Sequence, residues 1–165
     1  IELLGPYDLE LAVADPFLSD ADAVELGVTR MELDELCAWA ELLSLHAPEV
    51  ESTKGMIGAA QLAALSDGAT LVNTARGGLV DETALIAELS TGRISAVLDV
   101  TVEEPTPADS PLRRMPNVFL TPHVAGAAGT EMVRLADLAV QEVERWARGE
   151  PALHPVTAAD MDHIA

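Results

Sequence analysis

The chain has 165 residues, of which 49% are hydrophobic and only 3% aromatic, and its formal charge is −19. This length suffices for one domain with a hydrophobic core, and the scarcity of aromatic residues predicts an aliphatic core, which suits a buried parallel sheet covered by helices. The negative charge argues against a protein that binds nucleic-acid phosphates or an anionic membrane surface, because both need clustered Lys and Arg.

Apolar runs of strand length alternate with helical patterns along the chain. The predicted elements are, in chain order, a strand over residues 9–15, a helix over 19–27, a short strand over 27–31, a helix over 33–40, a strand over 41–46, a helix over 58–65, a strand over 68–75, a helix over 81–92, strands over 94–100 and 117–122, and a long amphipathic helix over about 127–149. Ser19 is suited to cap the first helix, and Gly27 to follow its end. The stripe of the last helix is expected to contact the core and comprises Met132, Leu135, Leu138, Ala139 and Val143.

Strands that alternate with helices indicate βαβ units and a parallel sheet, so the predicted fold is α/β, a doubly wound parallel sheet. Ligands of such sheets bind beyond the C-terminal ends of the strands. Most of the unusual polar residues fall just past those ends, in the segments 15–16, 46–48, 73–78, 99–105 and 121–126. This placement predicts one functional edge.

Asp15 ends a predicted strand, where a dinucleotide fold places an acid that accepts hydrogen bonds from the ribose hydroxyls. Such an acid follows a Gly-rich turn by about twenty residues, and the chain contains no GxGxxG. Two alternatives stay open: the turn lies upstream of this sequence, or Asp15 only caps the turn before Pro16.

Arg76 directly follows an apolar strand, and Gly77 and Gly78 allow a tight turn into the next helix. An arginine in this place can hold a substrate carboxylate with two hydrogen bonds. The alternative is an ion pair with Asp81 or Glu82 at the helix start.

Three acids, Asp99, Glu103 and Glu104, follow the next strand, and His123 follows the last one. A histidine that faces a carboxylate forms an acid/base unit, whereas a lone loop histidine is more often a surface residue. The common edge with Arg76 favours the acid/base unit, but the spacing alone does not choose between Glu103 and Glu104, because adjacent residues of an extended segment point to opposite sides.

Cys37 is the only cysteine, so an internal disulfide and a cysteine metal site are excluded, and a buried structural thiol is expected. No pair of histidines has ligand spacing on one helix, so no metal site is predicted. Neither a membrane-spanning apolar run nor a signal peptide is visible. The expected compartment is the cytoplasm.

The blocks VADPF, SLHAPEVESTKGMI, LVNTARGGLVDETAL, VLDVTVEEP and NVFLTPHVAG occur in this order. With them the chain resembles the D-isomer-specific 2-hydroxyacid dehydrogenases, which include phosphoglycerate dehydrogenase and glyoxylate/hydroxypyruvate reductase. The resemblance extends from about Leu11 to His123 and more loosely to Glu150. It implies an NAD-dependent oxidoreductase with a Rossmann-like fold, which transfers a hydride between NAD(H) and a small 2-hydroxy or 2-keto acid.

By this resemblance Arg76 binds the substrate carboxylate and polarises the carbonyl. Glu104, directly before Pro105, matches the glutamate that partners the catalytic histidine, and His123 matches that histidine. Asp15 matches the ribose-binding acid, and Asp99 an acid near the nicotinamide. The other positions implied to border the cofactor are Pro16, Ala47, Pro48, Thr53, Thr74, Ala75, Arg76, His123, Val124, Ala125 and Gly126.

Thr101 departs from the family pattern, since many members carry an aromatic residue there. The resemblance further implies that residues 1–126 form a partial dinucleotide-binding domain without its first strand and Gly-rich turn. Residues 127–165 would then be a C-terminal helix and tail that cross to a missing substrate domain. We therefore expect the intact protein to be longer than 165 residues and to act as a homodimer.

This hypothesis has two rivals. The first is a formate- or phosphite-oxidising relative, and Glu104 counts against the formate branch, which carries glutamine there. A dinucleotide-sensing corepressor or scaffold on the same fold would not need Arg76, Glu104 and His123 together. Asp15 favours NAD over NADP, because its carboxylate repels a 2′-phosphate.

Overall fold

The computed structural model describes residues 1–158, and its elements follow the predicted order of strands and helices. The strands are β1 (Ala12–Val13), β2 (Thr29–Arg30), β3 (Leu42–Leu45), β4 (Thr70–Asn73), β5 (Ser95–Leu98) and β6 (Val118–Leu120). The helices are α1 (Asp20–Leu26), α2 (Leu33–Trp39), α3 (Ala59–Ala64), α4 (Glu82–Ser90) and α5 (Glu131–Ala147), with short 3₁₀ turns at Glu2–Leu4, Gly77–Leu79 and Pro111–Arg113. Residues 159–165 of the predicted tail lie outside the described residues, His163 among them.

All strand pairs are parallel, which confirms the predicted α/β class. The strands form two sheets, however: β1 pairs with β2, and a second sheet has the order β3-β4-β5-β6. Because the described residues contain no strand between the two sheets, β3 is an edge of the larger one.

Every second residue of β3, β4 and β5 is fully buried, as the two-residue period of a strand requires. These side chains pack with α2, α3 and α4 in one aliphatic core that includes Leu43, Leu62, Leu71, Leu85 and Leu98. The predicted aliphatic composition of the core is thus confirmed. This core covers one face of the larger sheet, whereas polar residues lie beyond the ends of its strands.

The helix ends follow local rules that were visible in the sequence. The Ser19 hydroxyl accepts a hydrogen bond from the backbone N–H of Asp22, and Gly27 closes α1 in the left-handed region with φ of 69°. The Asp81 carboxylate caps α4 by accepting from the N–H of Ala84. These caps fix where each helix begins relative to the strand before it.

Helix α5 differs from the prediction, because its apolar stripe does not contact the core. Met132, Leu135, Leu138 and Val143 remain 41–64% exposed, and no residue of α5 is buried. The reason is that no described element packs on this face. The segment after α5 folds back along the helix, where Glu142 accepts hydrogen bonds from the backbone of Leu153. Among the residues that the structure describes, no helix has the length and apolar character needed to cross a bilayer.

Candidate active site

The polar residues singled out in the sequence lie just beyond the C-terminal ends of neighbouring strands of the larger sheet. This row of strand ends is called the functional edge. The parallel register sets Asn73 of β4 beside Leu98 of β5, and Leu98 beside Leu120 of β6. The chain segments that carry Arg76, Glu104 and His123 leave the sheet at this level. The prediction that these three segments share one edge is confirmed.

His123 and Glu104 form a direct pair at this edge. Nδ1 of the imidazole lies 2.7 Å from Oε2 of Glu104, and the two side chains are 48% and 37% exposed. Spacing alone allowed either Glu103 or Glu104 to meet the histidine, and the family resemblance selected Glu104; in the structure Glu104 makes the contact. With Nδ1 engaged by the carboxylate, Nε2 is the nitrogen left to act on a substrate.

The backbone of His123 is held in an unusual conformation. Its φ of 55° lies in the left-handed region, which costs a non-glycine residue free energy unless the surroundings support it. Support comes from Asp99, whose carbonyl oxygen accepts a hydrogen bond from the N–H of His123 at 2.9 Å. The histidine is therefore positioned by the end of β5.

The Asp99 carboxylate holds the rest of the histidine loop. It is only 3% exposed, and it accepts hydrogen bonds from the hydroxyl of Thr121 and from the backbone N–H groups of Val124 and Ala125. Burial alone would raise the pKa of Asp99, but these three hydrogen bonds and the nearby His123 outweigh it, so the pKa lies below its ordinary value. The sequence placed Asp99 near the nicotinamide, whereas in the structure protein donors occupy both of its oxygens.

Arg76 is presented by a turn that Asn73 organises. The buried Asn73 amide donates to the carbonyl oxygen of Arg76 at 2.8 Å and accepts from the N–H of Ala75 at 3.1 Å. The exposed guanidinium donates only to the adjacent Ala75 carbonyl within the described residues. Asp81 and Glu82, its possible ion-pair partners, bind backbone N–H groups instead. The guanidinium therefore has donors left for a carboxylate.

The arginine turn lies tightly against the segment that leads to Glu104. A Cβ atom added to Gly77 would lie 2.1 Å from the carbonyl oxygen of Thr101, so only glycine fits there without a backbone shift. Glu82 accepts from the N–H of Val102 at 3.0 Å and links α4 to the same segment. Three residues that support the site were not predicted from the sequence, namely Asn73, Glu82 and Thr121. A visible signal for two of them was a polar residue at, or directly after, the end of an apolar strand.

A cavity of about 490 Å³ adjoins the histidine–glutamate pair. It lies between the loop that carries Glu104 and the end of β6. Its lining residues are Asp99, Thr101, Glu104, Pro105, Thr106, Arg113, Leu120, Thr121, Pro122 and His123. The site therefore combines a half-exposed imidazole, whose Nδ1 is engaged by Glu104, with a cavity lined by both polar and apolar residues.

Of the residues implied to border the cofactor, seven follow β1, β3 and β4, namely Asp15, Pro16, Ala47, Pro48, Thr53, Thr74 and Ala75. Asp15 follows β1, and its Oδ1 accepts from the N–H of Phe17 at 2.8 Å, so it caps a turn as one alternative proposed. The Thr53 hydroxyl donates to the Pro48 carbonyl and accepts from the N–H of Val50, which closes the loop after β3. Pro16 and Thr74 are exposed.

Comparison with known proteins matches this arrangement to one family. The family model described as the NAD binding domain of D-isomer specific 2-hydroxyacid dehydrogenases matches residues 1–125. That range contains the arginine turn, the glutamate loop and the histidine loop. Five residues lie between its end and α5, which begins at Glu131.

The chain is similar to a D-3-phosphoglycerate dehydrogenase from Archaeoglobus fulgidus, with 32% identity over 94% of this chain and 30% of that protein. The apo structure of D-mandelate dehydrogenase from Rhodotorula graminis matches with a TM-score of 0.84 and 32% identity, over 94% of this chain and 46% of that one. A D-isomer specific 2-hydroxyacid dehydrogenase from Xanthobacter autotrophicus, in complex with NADPH and MES, matches with a TM-score of 0.72 and 36% identity, over 92% and 61%. The chain thus spans between 26% and 41% of the length of the curated relatives it matches.

Proposed function

This chain belongs to the D-isomer-specific 2-hydroxyacid dehydrogenase family, and we propose that it carries the catalytic residues of an oxidoreductase for small 2-hydroxy or 2-keto acids. The observation that carries the proposal is the 2.7 Å contact between His123 and Glu104 on the sheet edge that also presents Arg76. A carboxylate anchor and an acid/base pair are the groups that such a reaction requires from the protein.

Each of the three residues has a distinct task in the proposed reaction. The Arg76 guanidinium binds the substrate carboxylate and sets the position of the reacting carbon. In the direction of reduction, Nε2 of the His123 imidazolium donates a proton to the substrate oxygen, and in oxidation Nε2 of the neutral imidazole accepts the proton of the substrate hydroxyl. The Glu104 carboxylate orients the ring and stabilises its charged form.

A nicotinamide dinucleotide suits the polar groups at this edge, and when bound it exchanges the hydride with the substrate carbon. Asp15 would hold the adenosine ribose, as the family resemblance implies; its Oδ1 caps a turn, and the exposed side chain leaves Oδ2 for the ribose hydroxyls. The turn of Thr74 to Arg76 and the loop of His123 to Gly126 would border the nicotinamide half. These residues keep the substrate carboxylate and the reacting oxygen at the same edge.

We propose a preference for NAD over NADP, although the Xanthobacter relative was crystallised with NADPH. Arg30, on the strand beside β1, is the cation that could neutralise a 2′-phosphate, but its guanidinium pairs with Asp20 at 3.3 Å. Comparison of kcat/KM for NADH and NADPH tests this, with Asp15→Ala expected to narrow the difference. Equal use of both cofactors by the unaltered protein would contradict it.

Turnover of a panel of 2-keto acids with NADH tests the function itself. His123→Ala should lower kcat roughly 10²–10⁴-fold, the usual contribution of a general acid. Glu104→Gln should lower it too, whereas the neighbouring Glu103→Gln serves as the matched control with activity near that of the unaltered protein. Cofactor binding without turnover of any 2-keto acid would reject the oxidoreductase and support the corepressor or scaffold.

The remaining parts of the hypothesis concern assembly and location. We propose that residues 127–165 belong to a separate substrate domain, supported by the exposed stripe of α5 and by a family match that ends at Ala125. A homodimer and a cytoplasmic location are proposed from the family resemblance and from the single buried cysteine. Sedimentation of the purified protein would reveal whether it is a dimer.

A further inference from the structure

Thr101 is the residue of the glutamate loop where this chain departs from the aromatic side chain that many family members carry. It is only 6% exposed, and it lines the cavity beside the histidine–glutamate pair. A hydroxyl in this place must find hydrogen-bonding partners, because a buried polar group without them is costly. Its partners show what the residue does.

The Thr101 hydroxyl belongs to a directed chain of hydrogen bonds that closes the loop. It donates to the carbonyl oxygen of Glu103 at 2.8 Å, and it lies 2.9 Å from the hydroxyl of Thr106. Since a hydroxyl has one proton, which Thr101 gives to Glu103, the Thr106 hydroxyl is the donor in the second bond. The chain from Thr106 through Thr101 to Glu103 thus spans the loop on both sides of Glu104.

The backbone of Thr101 binds the Glu104 carboxylate itself. Its N–H donates to Oε1 of Glu104 at 3.4 Å, while Oε2 of the same carboxylate contacts His123. The carbonyl oxygen of Thr101 lies against Gly77 of the arginine turn. One residue therefore contacts both the glutamate loop and the arginine turn.

We propose that Thr101 is a positioning residue which, with Thr106, holds the Glu104 carboxylate against Nδ1 of His123. An ionised carboxylate only accepts hydrogen bonds, so a carboxylate fixed in this place keeps the ring proton on Nδ1. Nε2 of the neutral ring then keeps its lone pair toward the substrate side. Without these hydroxyl hydrogen bonds the loop no longer fixes the Glu104 carboxylate at Nδ1, and the ring proton distributes between the two nitrogens.

The tautomer of the His123 ring tests this placement without any need for turnover. ¹⁵N chemical shifts of the ring, measured at a pH where it is neutral, report which nitrogen carries the proton. The variants are Thr101→Val and Thr106→Val, which remove one hydroxyl each at nearly constant shape, and Thr101→Ser, which restores it. Thr91→Val is the matched control, because its hydroxyl also donates to a nearby carbonyl but lies at the end of α4.

We expect the Nδ1–H form in the unaltered protein, in Thr101→Ser and in Thr91→Val, and a mixture of tautomers in both single Val variants of the loop. The ring of His46, which contacts the Ser44 hydroxyl, should stay unchanged in all of them and serves as the internal reference. A ring proton that remains on Nδ1 in both Thr101→Val and Thr106→Val would overturn the proposal. If Thr101→Val fails to fold, the tautomers in Thr106→Val and Thr101→Ser still test the proposal.

The effect on catalysis rests on the proposed function, whereas the tautomer does not. If the protein reduces 2-keto acids, kcat should fall roughly 10- to 100-fold in Thr101→Val, as misplaced catalytic groups do, and recover in Thr101→Ser. An unaltered protein without turnover whose tautomer still responds to the Val variants would reject the oxidoreductase but keep the positioning role. Unchanged kcat in Thr101→Val, in a protein that turns over, would overturn the positioning role.

Discussion

Replacement of Asp99 by asparagine tests how much of the histidine loop depends on one buried carboxylate. Oδ1 of Asp99 accepts from the Thr121 hydroxyl at 2.5 Å and from the N–H of Val124 at 2.9 Å, and Oδ2 accepts from the N–H of Ala125 at 2.8 Å. Asparagine has nearly the same shape but presents an NH₂ group in place of one oxygen. Whichever way the amide is turned, at least one backbone N–H then faces a donor.

The size of the effect follows from these contacts. Loss of the hydrogen bond between the Ala125 N–H and the charged carboxylate costs about 2 kcal/mol, and a backbone N–H that faces the new NH₂ group without an acceptor adds about 1 kcal/mol. We therefore expect Asp99→Asn to lower the free energy of unfolding by about 3 kcal/mol. This is a large part of the 5–15 kcal/mol typical of a folded domain.

Urea unfolding of the purified proteins measures this difference. Asp67→Asn is the matched control. Asp67 is 87% exposed, and its single ion pair, with Arg93, is long at 3.5 Å, so its replacement should change stability by less than about 1 kcal/mol. Equal stabilities of Asp99→Asn and Asp67→Asn would refute the role given to the buried carboxylate.

The same comparison at different pH values checks the sign of the pKa shift. Because the pKa of Asp99 is lowered in the folded protein, its contribution is fully present above the unfolded value of about 3.9. It is lost as the pH falls through the lower folded value. The stability difference between the unaltered protein and Asp99→Asn should therefore be constant near neutral pH and shrink only below about pH 4. A difference that shrinks already near neutral pH would contradict the assigned direction.

Two further predictions concern other buried parts of the structure. Gly77→Ala should reduce both stability and turnover, because its Cβ would lie 2.1 Å from the Thr101 carbonyl oxygen, whereas Gly126→Ala meets no atom within 4 Å and should be close to neutral in unfolding experiments. The Cys37 thiol should react with a disulfide reagent only after unfolding, since burial, and secondarily Asp34, raise its pKa to about 11; rapid stoichiometric labelling of the native protein would disagree with this.

Much of the fold was predictable because its causes are local. The two-residue alternation in β3–β5, the Ser19 cap and the glycine that closes α1 depend on neighbours in the chain. The division into two sheets was not predictable in this way. Whether β1 and β3 lie in one sheet depends on a strand between them, which no local pattern in the described residues supplies.

The candidate site shows the same division between local and distant causes. Arg76 and His123 were predictable as residues beyond strand ends, and the choice of Glu104 over Glu103 came from the family motif, since spacing alone allowed both. The apolar stripe of α5 was correctly recognised as a stripe but wrongly expected to reach the core. Periodicity shows that a face is apolar, and only the arrangement of other elements decides whether anything covers it.

The chain alone indicates which residues lie at the functional edge, because parallel strands of one sheet all end on the same side. What those residues contact depends on how the loops pack together. Asp99 binds the backbone of Val124 and Ala125, which lie 25 and 26 positions further along the chain, and Gly77 lies against Thr101, 24 positions further along. Such contacts arise because β4, β5 and β6 pack side by side and bring the loops after them together. A hydrogen bond or a close approach across that distance depends on this packing, and no short-range pattern of the chain encodes it.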